Sequence, residues 1–161
     1  MKDNQVSIKL DRLDKRIIIA LQQDGRLANN ELARIIGLSP SSCLRRVRIL
    51  EEAGVIRKYA AIVDSNKVGL PFSMFARVWL VGQDAETIDR FIEAMKELPQ
   101  VVECYIILGE CDALLKVLMP DLMSYRTFQS THLTKKNGIL SVKTDLPSQI
   151  IKQSHEYPLG P

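Results

Sequence analysis

Residues 29–48, NNELARIIGLSPSSCLRRVR, restrict this chain more than any other stretch. Leu32, Ile35 and Ile36 recur at the spacing of one helix face. Gly37 offers the left-handed backbone that a tight turn requires. Ser39 then supplies an N-cap, and Pro40 falls at the first helical position, where a missing N–H costs nothing. Two short helices joined by a turn are therefore expected. Around the second helix, in steps of about 100° per residue, Cys43, Leu44, Val47 and Leu50 gather on one side. Ser41, Arg45, Arg48 and Ile49 lie on or near the other, with Ser42 and Arg46 at its edge. Such a helix buries one stripe and presents hydroxyls and guanidinium groups outward.

That arrangement suits DNA. A helix fits the major groove with its N-terminal residues towards base edges, and its uncapped N–H groups favour phosphate. Arginine bonds bidentately to guanine, and serine reaches phosphate or bases. The candidate DNA contacts are Ser39, Ser41, Ser42, Arg45, Arg46 and Arg48. The competing reading is a solvated basic face on a helix that only packs. Cap, turn glycine, buried stripe and charge agree in favouring the first.

The flanks support the pair. Asp11 or Asp14 can cap an earlier helix whose Leu13, Ile17, Ala20 and Leu21 share one face, with Gly25 ending it. After Gly54, residues 55–63 are rich in β-prone side chains and predict a short wing or hinge strand. Arg57 and Lys58 there could meet the DNA backbone or be plain surface charges. Charge divides along the chain. Through Lys58 there are 12 Lys and Arg against 7 Asp and Glu, and beyond it 10 against 12. A polyanionic partner is expected for the first part alone.

The run LDRLDKRIIIALQQDGR, followed by NNELARIIGLSPSSCLRRVRILEEAGVIRKYAAIVD, resembles the N-terminal pattern of the Lrp/AsnC family of transcription regulators. The resemblance extends over nearly the whole chain. It implies an α+β fold in which an N-terminal winged helix-turn-helix, residues 10–71, precedes a ferredoxin-like βαββαβ (RAM-type) domain, residues 72–155. It implies double-stranded DNA as partner, self-association as a dimer that can build to an octamer, an amino-acid effector, and no cofactor. The family places its effector near the turn between the second and third strands. Its Gly-Asp-x-Asp-aromatic pattern appears here as Gly109, Glu110, Cys111, Asp112 and Ala113, with Glu for the first Asp and Ala for the aromatic. A carboxylate beside turn N–H groups is a reasonable receptor for the two ends of an amino acid. Asp112 could equally serve only its own turn.

The second half, read from its residues, predicts the same topology. Residues 73–81 form a strand with Phe75, Val78 and Leu80 as its bulky positions. Residues 84–99 form an amphipathic helix burying Ile88, Phe91, Ile92, Met95 and Leu98, and Pro99 ends it. Residues 101–109 and 112–119 predict a hairpin. A second helix follows, with Asp121 as cap and Leu122, Tyr125, Phe128 and Leu133 apolar. Residues 138–152 would be the last strand, where Pro147 implies an edge or bulge and where the family's Leu-Pro-Gly-Val is replaced by Lys136, Asn137, Gly138 and Ile139. Trp79, Tyr105, Phe91 and Phe128 sit at core spacing. A sheet with helices on one face leaves the other to be covered, and a second subunit can cover it.

Other chemistry finds little support. His132 and His155 match no metal-ligand spacing. Three cysteines suit reduced thiols: Cys43 and Cys104 as small apolar fillers, Cys111 as the exposed one, with redox sensing a minor alternative. There is no phosphate-binding glycine loop, no nucleophile elbow, no apolar run long enough for a bilayer and no signal-type leader, so a cytoplasmic location is expected. Two further readings are a sirohaem-decarboxylase-like enzyme of the same architecture and an amino-acid-binding assembly that ignores DNA.

Overall fold

The computed structural model describes residues 9–160. They form two compact units: residues 9–62 with 152–160, and residues 63–151. These bounds differ from those expected. The C-terminal tail joins the helical unit because the Gln22 amide donates to the Tyr157 carbonyl at 3.2 Å and accepts its N–H at 2.7 Å.

The first unit holds three helices, α1 (Arg12–Gln23), α2 (Asn29–Ile36) and α3 (Pro40–Glu52). Each begins or ends where local chemistry demands. Both candidate caps of α1 act together: Asp11 accepts the Asp14 N–H at 2.9 Å and Asp14 accepts the Asp11 N–H at 3.1 Å. This reciprocal capping box satisfies two donors that the first helical turn would leave orphaned. Gly37 ends α2 at φ +82°, and its N–H returns to Ala33 O at 2.9 Å. Ile17, Leu32, Ala33, Ile36, Cys43 and Leu50 form the core, each almost wholly buried. Two residues counted towards that core do not join it: Ile35 and Leu44 are 44% and 39% exposed. Both lie at the margin of their stripe, beyond the reach of the three described helices. The expected wing strand is also not formed. Residues 57–64 run without regular structure, and Ile62 and Val63 stay exposed, because no strand among the described residues pairs with them.

The second unit is a four-stranded antiparallel sheet in the order β2-β3-β1-β4, with α4 and α5 on one face. The strands are β1 (Phe72–Leu80), β2 (Val101–Ile106), β3 (Ala113–Met119) and β4 (Ile139–Asp145); the helices are α4 (Ala85–Lys96) and α5 (Leu122–His132). This is the ferredoxin-like βαββαβ arrangement. Asp84 and Asp121 cap the two helices by accepting the N–H groups of Thr87 and Ser124. Met74, Ala76, Val78 and Leu80 of β1 and Ala113, Leu115, Val117 and Met119 of β3 face Phe91, Met95, Tyr125 and Phe128. Phe75 therefore lies on the opposite face from Val78 and Leu80, as the two-residue period dictates. Leu122 is half exposed at the start of α5 rather than buried. β4 stops before Pro147 and occupies a sheet edge, where the missing donor disturbs no ladder. Gly138 precedes it at φ +79°, and a Cβ there would lie 3.2 Å from Thr87 O.

Among the described residues of this unit, no helix packs on the sheet's other face. Phe75, Arg77 and Trp79 of β1 lie there beside Leu114, Lys116 and Leu118 of β3, all half buried. Trp79 and Tyr105 thus belong to this open face and not to the core, Tyr105 being 51% exposed. Polar ties order the face: Arg77 pairs with Asp145 at 2.8 Å, Lys116 with Glu103 at 3.0 Å, and Lys143 sits 5.2 Å from the Trp79 ring centre.

Candidate nucleic-acid interface and effector turn

The outward side of α3 is built from its cap onward. Ser39 accepts the Ser42 N–H at 3.3 Å, and its hydroxyl lies 2.9 Å from that of Ser42 and 3.3 Å from that of Ser41. Ser39 and Ser42 are thus engaged in starting the helix, while the exposed Ser41 extends from it. Ser41, Arg45 and Arg48 fall within about 60° of one another around the axis, and all three are exposed. No acidic side chain occupies the first turn of α3, so its N-terminal dipole is unopposed. Arg57 and Lys58 are exposed on the segment after the helix. A rigid, capped rod with two guanidinium groups and a hydroxyl on one open face is a surface for phosphate and base edges.

Arg46 departs from that face. It lies about 100° further round than Arg45, towards the buried stripe, and its Nη1 donates to Asp11 Oδ2 and Asp14 Oδ1, each at 2.7 Å. The guanidinium is turned onto the start of α1, and the side chain is only 24% exposed. The Asp14 N–H first, and then Arg46, holds the Asp11 carboxyl below the usual carboxylate range.

Three supports for the motif were not singled out from sequence. Arg16 of α1 donates from Nη1 to Ile36 O and from Nη2 to Ile35 O, both at 2.9 Å, so a cation closes the end of α2. Asn29 donates to Pro40 O at 2.8 Å, tying the start of α2 to the start of α3. Tyr59 donates to Glu51 at 3.0 Å; partial burial of the ring and the adjacent carboxylate push its phenol up to about 12. All three depend on tertiary approach: Arg16, for instance, reaches α2 from 20 residues upstream, with no local pattern to announce it.

At the expected effector turn, Gly109 and Glu110 are exposed, Cys111 is buried, and the half-buried Asp112 already holds two donors. Asp112 Oδ2 accepts the Leu80 N–H at 2.8 Å and Oδ1 accepts from Gln83 at 3.0 Å. Its own N–H goes to Val78 O, and Trp79 Nε1 donates to Glu110 O at 2.8 Å. The turn is thereby fastened to the end of β1. Cys111 is 8% exposed, against the expectation that it would be the accessible thiol. That place falls to Cys104 on the edge strand β2. Cys43 is buried as expected, and burial pushes its thiol up.

A groove of about 590 Å³ opens at the far end of β3, about 20 Å from the turn by strand rise. Leu118, Met119, Asp121, Phe128 and His132 line it, and Gln100 Oε1 is buried beside it without a hydrogen-bond partner. Among the described residues no cluster of His, Cys, Asp and Glu could hold a metal, and no helix is long and apolar enough to cross a membrane.

Comparison with known proteins agrees with this geometry. Residues 10–57 match a family model described as winged helix-turn-helix DNA-binding, and residues 73–157 match the Lrp/AsnC ligand binding domain. The chain is 38% identical to the transcriptional regulator AzlB of Bacillus subtilis over 96% of its own length and 98% of that protein's. It is 34% identical to the leucine-responsive regulatory protein of Escherichia coli, over 91% and 89%. A crystal structure of a transcriptional regulator from Neisseria meningitidis in complex with L-Met superposes with a TM-score of 0.89 at 33% identity, covering 93% of this chain and 97% of that one. All three are named as regulators, which favours the regulator reading over the decarboxylase one. Two matched modules in the same order, on the fold just described, place this chain in the Lrp/AsnC family of DNA-binding transcription regulators.

Proposed function

We propose that this regulator reads a specific DNA sequence as a dimer and that an amino acid, or a related small metabolite, alters its binding. The observation that carries the DNA part is the open face of α3, where Ser41, Arg45 and Arg48 stand together, exposed, on a helix anchored by its other side. Two such helices would enter successive major grooves of a partly palindromic site, with half-sites about one helical turn apart. The helix-free face of the sheet, with Phe75, Trp79, Leu114 and Leu118, supports pairing with a second copy, and higher assembly up to an octamer would bend or wrap the DNA.

The effector part is supported by two relatives: one named for leucine, the other crystallised with L-Met. The turn at Gly109, Glu110, Cys111 and Asp112 is the proposed place. Asp112 would act there by holding the turn's shape, leaving the exposed Glu110 to meet an ammonium group. An effector shifts DNA binding only if it binds one state better than another.

The test is an electrophoretic shift on duplexes selected from a random pool, with salt varied and a panel of amino acids added. Affinity that falls steeply with salt, a strong preference for selected over random duplex, and a response to one amino acid would support the reading. Equal affinity for both duplexes would refute sequence reading, and no response to any amino acid at millimolar concentration would refute the effector.

A further inference from the structure

Arg46 is paired to two carboxylates of α1 and belongs to the helix that carries the outward arginines. Its Nη1 sits 2.7 Å from an oxygen of Asp11 and 2.7 Å from an oxygen of Asp14. The remaining oxygens of those carboxylates, Asp11 Oδ1 and Asp14 Oδ2, accept the reciprocal N–H groups of the α1 capping box. Every carboxylate oxygen of the pair is thus engaged. The box is preorganised as a receptor, since the backbone holds both carboxylates before Arg46 arrives.

The mechanical consequence follows from where the ties fall on α3. Asn29 holds its first turn through Pro40 O at 2.8 Å. Arg46 holds it six residues on, about 9 Å along the axis. Two points determine the direction of a rod, and the buried Cys43 and Leu50 determine its rotation. The stripe of Ser41, Arg45 and Arg48 then points one way only. Base edges must be met to within a fraction of an ångström, whereas phosphates tolerate a looser approach.

We propose that Arg46, with Asp11 and Asp14, is a positioning element that sets the direction of α3 for reading bases, and that it does not itself touch DNA. This rests on the DNA-binding reading above, and it separates Arg46 from the other five candidate contacts.

The test uses the full chain, a duplex selected by the unaltered protein, and a random duplex of equal length. Arg46→Gln, Arg46→Lys and Asp14→Asn are compared by titration across a range of salt. Removing a carboxylate from a DNA-binding surface should, by charge alone, tighten binding to both duplexes. Positioning requires the opposite for the selected one. Asp14→Asn and Arg46→Gln should each lower the ratio of selected to random affinity roughly tenfold, and the salt slope of Arg46→Gln should stay at the unaltered value. Arg46→Lys, which keeps a donor for the carboxylates, should recover part of the ratio. Loss of about one from the salt slope in Arg46→Gln with the ratio intact would mark a phosphate contact and overturn the proposal. So would equal tightening on both duplexes by Asp14→Asn. Melting curves confirm that each variant is folded at the assay temperature; a folded variant with an unchanged ratio also counts against it. If the unaltered protein shows no preference for any selected duplex, the failure belongs to the function and not to Arg46.

Discussion

Replacing Asp112 with alanine separates a residue that builds the turn from one that serves only a ligand. The substitution removes a charged acceptor from the Leu80 N–H at 2.8 Å and from Gln83 at 3.0 Å, while the backbone bonds at Val78 and Ile107 persist. A hydrogen bond from a half-buried backbone donor to a carboxylate contributes about 1.5–3 kcal/mol, and one to an exposed amide about 0.5. Water can reach part of the site, so the expected loss is about 2 kcal/mol. Trp79 makes the measurement local. It is the chain's single tryptophan, and its indole donates to Glu110 O in the same turn. Urea unfolding of ligand-free protein, followed by tryptophan fluorescence, should show a midpoint lower by about 1–2 M for a unit of this size. A variant with the original midpoint that has nonetheless lost its amino-acid response would refute the structural role.

Three further outcomes are expected. Arg45→Ala should weaken binding to a selected duplex by about 1–3 kcal/mol and relax preference at one base position, whereas equal loss on random duplex would mark Arg45 as a phosphate contact. Phe91→Ala should destabilise the sheet unit by about 3–5 kcal/mol, since its ring is wholly buried between helix and sheet; calorimetry of the purified variant measures this. Asp11 titrates below the usual carboxylate range, so its contribution is present above that range and is lost as the pH falls through the lowered value. Asp11→Asn should therefore flatten the acid limb of the stability curve while lowering the neutral plateau, as read by melting temperature against pH.

Much of this architecture is legible in the residues, because it depends on local chemistry. Gly37, Ser39 and Pro40 announce a turn and a cap wherever they occur in that order, and the apolar face positions Ile17 of α1, Leu32 and Ile36 of α2, and Cys43 and Leu50 of α3 survive into the core. Side chains at stripe margins are less legible. Ile35 and Leu44 have the right chemistry, but only the number of neighbouring helices decides whether they are covered. Arg46 shows the same limit in reverse, since a position between faces can turn either way until a receptor such as the Asp11–Asp14 box is in place. The partners of site residues that depend on strand register were hidden altogether. Asp112 meets Leu80 because β3 pairs with β1 so that Ala113 lies opposite Val78, a fact with a long sequence separation behind it. The same pairing buries Cys111 and leaves Cys104 at the edge.

The most direct trial of the account maps guanine N7 accessibility to methylation on a selected duplex bound by the full chain. Two protected patches in the major groove, centred about one helical turn apart on one side of the duplex, with one guanine in each patch deprotected by Arg45→Ala, are the expected pattern. Tight, sequence-dependent binding that leaves every major-groove N7 open would contradict it.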